Sequence, residues 1–312
     1  MAIRKQFPDV PLVYTGALEN HPSLIEEMQA IGPLWGQTAD TLRKVRDPAQ
    51  WTTAMNERNI ATPRTSTSPP DRSAAWLVKP LCSAGGAHVR RLSNNEAPSD
   101  DRLFQEFLPG EPCSAAFVVG ASDRSVKFLG TSRMLVGEDW RASHEFGYCG
   151  SISYQPTTEE KSHWLRIGQA LADDFDLVGV FGVDAIATDH GVVPIEVNPR
   201  YTASMETLEP SLAQPILRYH ADACCGELLN VVETEHRRVA KLFVYADRDL
   251  VVPDSFENLL FDKQALADIP TPGQSIPAGA PITTILLTDD EPPQKLIDAA
   301  NRLRKSCISL PV

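Results

Sequence analysis

The sequence lacks the long apolar segments found in membrane proteins and secreted precursors. No stretch approaches the ~20 consecutive apolar residues that a membrane-spanning helix needs, and residues 1–8 contain no apolar core of signal-peptide length. There is no internal repeat and no long low-complexity tract. With 312 residues, 42% of them hydrophobic, the chain can bury roughly three quarters of its unfolded surface. We therefore expect a soluble, cytoplasmic protein with two or three subdomains.

Cysteine and positive charge are both scarce. The six cysteines lack the paired spacing of a zinc site, and the one close pair, Cys224 and Cys225, is vicinal. We interpret them as reduced thiols that act as small apolar residues. Lys and Arg total 29 against 41 Asp and Glu, which gives a net charge of −12. A field of this sign repels nucleic acids and anionic membranes. It does not exclude a local basic pocket.

The most informative pattern lies in residues 183–200. Apolar and polar residues alternate on both sides of a turn at His190, which predicts two strands joined as a hairpin. Folding about this turn sets Asp184 opposite Glu196, and the strand period of two places Asn198 on the same face as Glu196. Facing carboxylates repel each other unless a cation lies between them, and an oxygen-only set suits Mg²⁺ or Mn²⁺ rather than zinc. The alternative is an exposed polar hairpin face.

A second pattern, in residues 76–92, combines a strand lysine with small residues. Lys79 lies near the end of a short apolar strand, and a loop with Ser83, Gly85 and Gly86 leads to a second strand. Small residues allow backbone N–H groups to approach an anion, while the lysine supplies positive charge to phosphate oxygens. The spacing does not match a P-loop. The alternative is a structural hairpin turn.

The remaining elements follow from hydrophobic periodicity and from helix start signals. Thr157 and Glu160 form a predicted capping box before a helix with an apolar stripe, and the strands between residues 103 and 129 are expected to make one antiparallel sheet. The tail is expected to pack on the sheet or to complete the rim of a pocket. Strands are predicted at 12–14, 103–108, 114–119, 126–129, 178–184, 240–245 and 282–287, and helices from 22, from 46, at 159–175, at 212–224 and at 293–305.

The order of these motifs resembles the ATP-grasp superfamily: a strand lysine, a glycine loop, an apolar strand ending in Glu-Phe-Leu-Pro-Gly-Glu (106–111), and a hairpin with Asp followed by Glu-x-Asn-Pro-Arg. The resemblance covers 76–200 strongly and 12–63 more weakly. It implies an α/β and α+β architecture, the ATP-grasp fold. The expected units are a partial α/β domain at 1–47, an ATP-grasp domain at 48–235 with lobes at about 64–135 and 136–235, and a β-rich appendage at 236–312.

The resemblance also implies ATP and two Mg²⁺ or Mn²⁺ ions as cofactors, and a carboxylate activated as an acyl phosphate. The implied catalytic residues are Lys79 and Arg200. The implied nucleotide contacts are Lys79 on the phosphates, Ser83, Gly85 and Gly86 above them, Glu106, Phe107 and Leu108 beside adenine, and Glu111 on the ribose. The implied metal ligands are Asp184 and Glu196 for one ion and Glu196 and Asn198 for the other.

One departure from the family pattern concerns Arg46. The family commonly has a lysine before the first helix of the nucleotide domain, whereas this sequence has Arg46 followed by Asp47, with Lys44 close by. Arg46 can supply the positive charge for the nucleotide, although its planar fork is not equivalent to an ammonium group.

A narrower likeness rests on residues 14–22, 45–48 and 198–206, which resemble ATP-grasp proteins of C1-carrier biosynthesis (methanofuran or methylofuran type), relatives of tyramine-glutamate ligase. Domain junctions commonly hold substrate sites. Residues that would read an amino-acid substrate there are Glu19, His21, Thr202 and Ser204. In the alternative interpretation, Glu19 and His21 are cap residues of the first helix.

These observations predict an ADP-forming carboxylate-amine ligase that makes an amide, or a γ-glutamyl bond, in cofactor synthesis. The alternatives are an amino-acid or peptide ligase of the same superfamily and a non-catalytic ATP-binding or scaffold protein. The expected partners are a small carboxylate and a small amine, without nucleic acid or membrane. A homodimer is left open.

Overall fold

The computed structural model describes residues 6–71, 74–93, 99–140, 142, 144–228, 230–254, 256, 266–288 and 293–308. Its strands are β1 (Leu12–Val13), β2 (Leu34–Trp35), β3 (Thr65–Ser66), β4 (Trp76–Pro80), β5 (Arg90–Arg91), β6 (Arg102–Glu106), β7 (Glu111–Val119), β8 (Val126–Val136), β9 (Tyr148–Tyr154), β10 (Gly179–Thr188), β11 (Gly191–Asn198), β12 (Val239–Tyr245), β13 (Leu250–Val251), β14 (Leu266–Ala267), β15 (Ser275–Ile276) and β16 (Pro281–Thr288). Its α-helices are α1 (Pro22–Ala30), α2 (Ala39–Val45), α3 (Pro48–Glu57), α4 (Thr158–Phe175), α5 (Ile216–Cys224) and α6 (Pro293–Ile308).

A four-stranded antiparallel sheet with the order β3-β6-β4-β5 forms the smaller lobe. Trp76, Val78 and Phe104 make its apolar core. The expectation of one sheet across residues 103–129 is wrong, because β6 belongs to this lobe while β7 and β8 belong to the larger sheet. The chain changes sheets at Gly110, where a Cβ would lie 2.3 Å from the backbone oxygen of Ala187. Only glycine therefore fits this crossing.

The larger sheet has eight strands in the order β11-β10-β7-β8-β9-β12-β16-β14, and every described pairing in it is antiparallel. Helix α4 packs against it through a core in which Phe117 stacks on Phe181 at 5.1 Å between ring centroids and tilts toward Trp164. The side chain of Thr157 accepts a hydrogen bond from the backbone N–H of Glu160 at 3.2 Å, which confirms the predicted helix start.

Sequence patterns did not predict β9. Its buried positions include Ser151 and Ser153, so the apolar alternation that marks a strand is absent from its sequence. The hydroxyl group of Ser153 accepts a hydrogen bond from the N–H of Val239 on β12 at 2.8 Å. The serine therefore satisfies a buried backbone donor, which explains how a polar residue is tolerated there.

The N-terminal unit contains the two-stranded parallel sheet of β1 and β2 with helices α1 and α2. The amide group of Gln37 fixes this unit to the larger lobe, because it donates to the carbonyl of Val178 at 2.6 Å and accepts from the N–H of Val178 at 3.0 Å. At the other end, β12, β16 and β14 extend the large sheet and pack with α6 around a separate core. Within the described ranges, no helix combines the length and apolarity needed to cross a membrane.

Candidate functional site

The hairpin of β10 and β11 places its two acids face to face. Asp184 pairs with Glu196 as predicted. The turn, however, is not symmetric about His190, since Thr188 pairs with Gly191 and the register shifts between Asp184 and Ala185. This β-bulge leaves Ile195 without a partner and brings Glu196, rather than Ile195, opposite Asp184. Bulges recur next to active sites because they re-aim side chains in this way.

The predicted third donor lies beside this pair. The amide group of Asn198 donates to Oδ2 of Asp184 at 3.0 Å, and Nη1 of Arg46 donates to Oε1 of Glu196 at 2.6 Å. Asn198 is buried, and the side chain of Glu196 is 31% exposed. The polar face of the hairpin is therefore partly buried and opens on the cavity through Asp184 and Asn198, rather than lying fully exposed at the surface.

The two carboxyl groups have opposite electrostatic environments. Burial, followed by repulsion from Glu196, raises the pKa of Asp184 to about 7. Burial also acts to raise the pKa of Glu196, but the positive charges of Lys79 and Arg46 outweigh it, so this pKa is lowered. Without a cation the facing pair thus resists carrying two negative charges. A divalent cation would remove this penalty.

The oxygen atoms of Asp184, Glu196 and Asn198 fit a hard cation that also binds ligands from outside the protein. Two carboxylates and one amide oxygen suit Mg²⁺ or Mn²⁺. Among the described residues, no group of three or more His, Cys, Asp and Glu side chains is placed to enclose a metal ion. Most coordination positions would therefore fall to phosphate oxygens or water, as is usual for Mg²⁺ at nucleotide sites.

Lys79 reaches the same region from β4 in the smaller lobe. Its Nζ donates to Oε1 of Gln105 at 3.2 Å, and the amide of Gln105 donates to the carbonyl of Ile195 at 3.3 Å. Gln105 is buried and connects the strand of Lys79 to the bulge of the β10–β11 hairpin. Sequence reasoning missed this residue, although a glutamine inside an otherwise apolar strand was the available signal.

The glycine loop lies against β9. The N–H of Tyr148 donates to the carbonyl of Gly85 at 3.0 Å. Gly85 and Gly86 have φ angles of +62° and +76°, and a Cβ on Gly86 would lie 1.9 Å from the backbone oxygen of Phe146. The carbonyl of Ser83 accepts from the amide of Asn20 at 3.1 Å. The loop is therefore docked between the two lobes rather than forming a simple hairpin turn.

The residues predicted to contact adenine line the cavity, whereas the residue predicted to contact the ribose does not. Phe107 and Leu108 line the cavity between the lobes, and the carboxylate of Glu106 accepts from Arg64 at 3.0 and 3.2 Å. Glu111 is exposed, and its carboxylate lies 3.6 Å from Nε of Arg133; its neighbours Gly110 and Pro112 line the cavity, whereas Glu111 does not.

The side chain of Arg200 forms an ion pair with a residue of the N-terminal unit. Its Nε and Nη2 donate to one oxygen of Glu19 at 2.7 and 2.6 Å. The side chain of Glu19 is 1% exposed, and its second oxygen is buried without a hydrogen-bond partner in the described structure. Glu19 is therefore an ion-pair partner of Arg200 and not a helix cap. His21 occupies the N-cap position of α1, is exposed and makes no side-chain cap bond.

A cavity of about 390 Å³ between the lobes brings most of the predicted residues together. This volume is in the range of small-molecule sites. The predicted residues on its wall are Lys79, Gly85, Gly86, Glu106, Phe107, Leu108, Asp184, Asn198, Arg200, Thr202 and Ser204. Arg46, Ser83, Glu19, His21, Glu111 and Glu196 lie outside the wall, with Arg46 and Glu196 adjoining it through the hairpin.

One end of the cavity was not predicted. It is lined by Met134, Val136, Tyr148 and Phe243, the last of them on the tail strand β12. Next to Phe243 in the same strand face, the buried ammonium group of Lys241 pairs with Glu206. The alternation of residues 241–245 was the available signal, but sequence alone does not show which strand the tail would pair with.

Comparisons with known proteins agree with this architecture. A family model described as the ATP-grasp domain matches residues 45–204. An uncharacterised protein of Methanocaldococcus jannaschii is 22% identical over 223 residues, which cover 69% of this chain and 51% of that protein. The chain thus spans about half the length of this curated relative.

Two solved structures share the fold. A biotin carboxylase from Campylobacter jejuni, solved as a complex with β-γ-ATP, has a TM-score of 0.74 at 9% identity and covers 99% of this chain and 80% of its own. An L-amino acid ligase from Bacillus licheniformis has a TM-score of 0.68 at 13% identity and covers 97% and 81%. Because the family model spans half of the sequence and the fold agrees, the chain belongs to the ATP-grasp family.

Proposed function

We propose that the protein is an ATP-dependent, ADP-forming ligase that joins a carboxylate to an amine through an acyl phosphate. The observation that carries the proposal is the convergence of Asp184 and Asn198 with Lys79 and Arg200 on one cavity that also contains the glycine loop. Oxygen donors for a cation and two fixed positive charges are what a triphosphate and a carboxylate require together. Membership of the ATP-grasp family supports the same chemistry.

Asp184, Glu196 and Asn198 would hold Mg²⁺, with Glu196 shared between two ions. When bound, the ions neutralise the triphosphate and the negative charge that develops during transfer. Lys79 places a further positive charge at the phosphates, and the backbone N–H groups of the glycine loop can bind phosphate oxygens. The hairpin and Lys79 thereby orient the nucleotide with its terminal phosphate toward Arg200.

Arg200 is suited to bind the carboxylate that is activated. In the described structure, three of its five N–H groups are used by Glu19 and by the carbonyl of Tyr201. The remaining two are available on a residue of the cavity wall. Attack of a carboxylate on the γ-phosphate brings anions together, so the guanidinium of Arg200 would lower the barrier by pairing with them.

For the acceptor, the cavity supplies both polar and apolar contacts. The hydroxyl groups of Thr202 and Ser204 lie 2.9 Å apart and are buried, and the other wall is formed by Met134, Tyr148 and Phe243. With the resemblance of residues 14–22, 45–48 and 198–206, this supports a γ-glutamyl or related amide bond in C1-carrier cofactor synthesis. A homodimer is part of the proposal and is tested by light scattering.

The test is ADP release from Mg²⁺-ATP with a panel of acids and amines, including glutamate with aromatic amines and with amino acids. Dependence on both an acid and an amine supports the ligase, and hydroxylamine should trap the activated acid as a hydroxamate. Asp184→Ala and Glu196→Ala should each abolish ADP release without changing the circular dichroism spectrum. The control Asp189→Ala, in the exposed turn of the same hairpin, should leave ADP release unchanged. Full activity of Asp184→Ala, or nucleotide binding without turnover for every pair, would refute the proposal.

A further inference from the structure

Asn20 is assigned no role in the proposed chemistry, yet its side chain contacts two residues predicted to bind the nucleotide, Ser83 and Arg46. It ends the short 3-10 turn Gly16–Asn20 in the N-terminal unit. Nδ2 donates to the carbonyl of Ser83 at 3.1 Å, and Oδ1 accepts from Nη2 of Arg46 at 3.0 Å. A backbone carbonyl can only accept and a guanidinium can only donate, so the two partners fix the orientation of the amide.

The hydrogen-bonded chain continues to the carboxylate pair. Arg46 uses its other terminal nitrogen, Nη1, to bond Glu196 at 2.6 Å. A continuous path thus runs from Ser83 through Asn20 and Arg46 to Glu196. Ser83 and Arg46 lie 63 and 26 residues from Asn20 in the sequence. The contact of Asn20 with Ser83 and that of Arg46 with Glu196 depend on the packing of the N-terminal unit against the two lobes.

The glycine loop has a second attachment of a different kind. The carbonyl of Gly85 accepts from the backbone of Tyr148, whose position is set by the large sheet. At the other end of the loop, Ser83 is held by the side chain of Asn20, and the thiol of Cys82 lies 3.9 Å from the Asn20 carbonyl. Replacement of Asn20 would therefore remove the side-chain bond at Ser83, while Leu81 keeps its bonds to Arg46 and Asp101 and the other end of the loop stays docked.

The side chain of Asn20 has one partner inside its own unit, Arg46 at the C-terminal end of α2, and one outside it, Ser83. Helix α1 begins after His21, which is the N-cap residue, and in the described structure the Asn20 amide bonds to Arg46 and Ser83 rather than to the helix. Asn20 is half-buried, so its partners would gain access to water if it were removed. The bond to Ser83 leaves the N-terminal unit, so the Asn20 amide joins the end of α2 to the glycine loop.

We propose that Asn20 is a positioning residue that couples the glycine loop to Arg46 and, through Arg46, to Glu196. The inference rests on the proposed function, because the loop and these charges would act together on a bound triphosphate. An isosteric aspartate would keep the acceptor for Arg46 but would place an oxygen against the carbonyl of Ser83. Alanine would remove both contacts.

The experiment measures binding of N-methylanthraniloyl-ATP with Mg²⁺ by fluorescence, and hydrogen exchange of residues 82–87, in the full-length protein. One hydrogen bond corresponds to roughly 2- to 10-fold in affinity, so Asn20→Ala should weaken binding about fivefold or more. Asn20→Ala and Asn20→Asp should both accelerate exchange in the loop, with exchange of α1 unchanged. The control Asn56→Ala, at an exposed asparagine of α3, should change neither quantity.

A double-mutant cycle separates coupling from local damage. If Asn20 acts through Arg46, the affinity loss caused by Asn20→Ala should shrink at least about twofold in an Arg46→Met background. The same loss in both backgrounds, or unchanged affinity in Asn20→Ala, overturns this inference alone. If the wild-type protein binds no nucleotide, the proposed function falls and this inference falls with it. Loop exchange in Asn20→Asp decides the matter if the alanine variant does not fold.

Discussion

Asp184→Asn should stabilise the cation-free protein even though it removes a predicted metal ligand. In the folded protein the pKa of Asp184 is raised to about 7 from an ordinary value of 3.8, by burial and by repulsion from Glu196. A raised carboxyl pKa means that the folded state binds the proton more tightly than the unfolded state. The resulting stabilisation is complete below about pH 4 and is lost as the pH rises through 7. Asparagine cannot ionise and does not suffer this loss.

The size of the effect follows from the shift. About three pKa units correspond to a ceiling of about 4 kcal/mol. Water in the cavity screens part of this, because Asp184 is only half-buried, so we expect about 1–3 kcal/mol above pH 7. The asparagine keeps an oxygen that can accept from Asn198, which now bonds Asp184 at 3.0 Å. The advantage of the variant should grow from pH 4 to pH 7 and then level off.

Urea denaturation in EDTA at pH 5, 7 and 8, followed by tryptophan fluorescence, measures this difference. Asp189→Asn is the matched control, because it makes the same change of charge at the exposed turn of the same hairpin. Adding Mg²⁺ with nucleotide should then stabilise the wild-type protein more than Asp184→Asn. If Asp184→Asn at pH 8 is no more stable than Asp189→Asn, the repulsion between Asp184 and Glu196 that we expect a cation to relieve is refuted.

Two further predictions concern other parts of the site. Glu19→Ala leaves the buried guanidinium of Arg200 without its carboxylate partner and should lower the free energy of unfolding by about 3–5 kcal/mol. Glu19→Gln keeps a hydrogen-bond acceptor and should lower it less. A loss below about 1 kcal/mol for Glu19→Ala, measured by urea denaturation, would contradict the ion pair. Gly86→Ala forces a Cβ to within 1.9 Å of the oxygen of Phe146 and should weaken binding of the fluorescent nucleotide. Gly273→Ala, at a similar φ of +79° in open space, should leave binding unchanged, and equal affinities for the two variants would count against the docked loop.

Local patterns predicted much of the secondary structure. The helix start at Thr157 and the apolar stripe behind it are properties of a few neighbouring residues, and both are confirmed. Of the predicted capping box the structure shows the Thr157 bond, whereas the Glu160 carboxylate bonds Tyr154 and Trp164. The facing of Asp184 and Glu196 was also predicted, although the prediction assumed a symmetric turn and the structure uses a bulge at Ile195. Strand β9 was missed because its buried serines carry no apolar alternation.

The sequence alone was enough to predict the family, because the family's motifs occur in a fixed order along the chain. The family model that matches residues 45–204 confirms that part of the prediction. The finer resemblance to C1-carrier enzymes stays a prediction, since it depends on which acid and amine the cavity selects. Phe243, which lines the cavity, comes from a tail strand to which sequence reasoning assigned no site residue.

The sequence by itself determined where most strands and helices form and which acids share the hairpin, because periodicity and turn chemistry act over a few residues. Tertiary structure alone decided which charges meet. Arg200 finds Glu19 across 181 residues and Arg46 finds Glu196 across 150, while other arginines of the same type pair elsewhere. Side-chain chemistry does not distinguish one arginine from another, so the partner of each is settled only when packing brings distant segments together and removes the water between them.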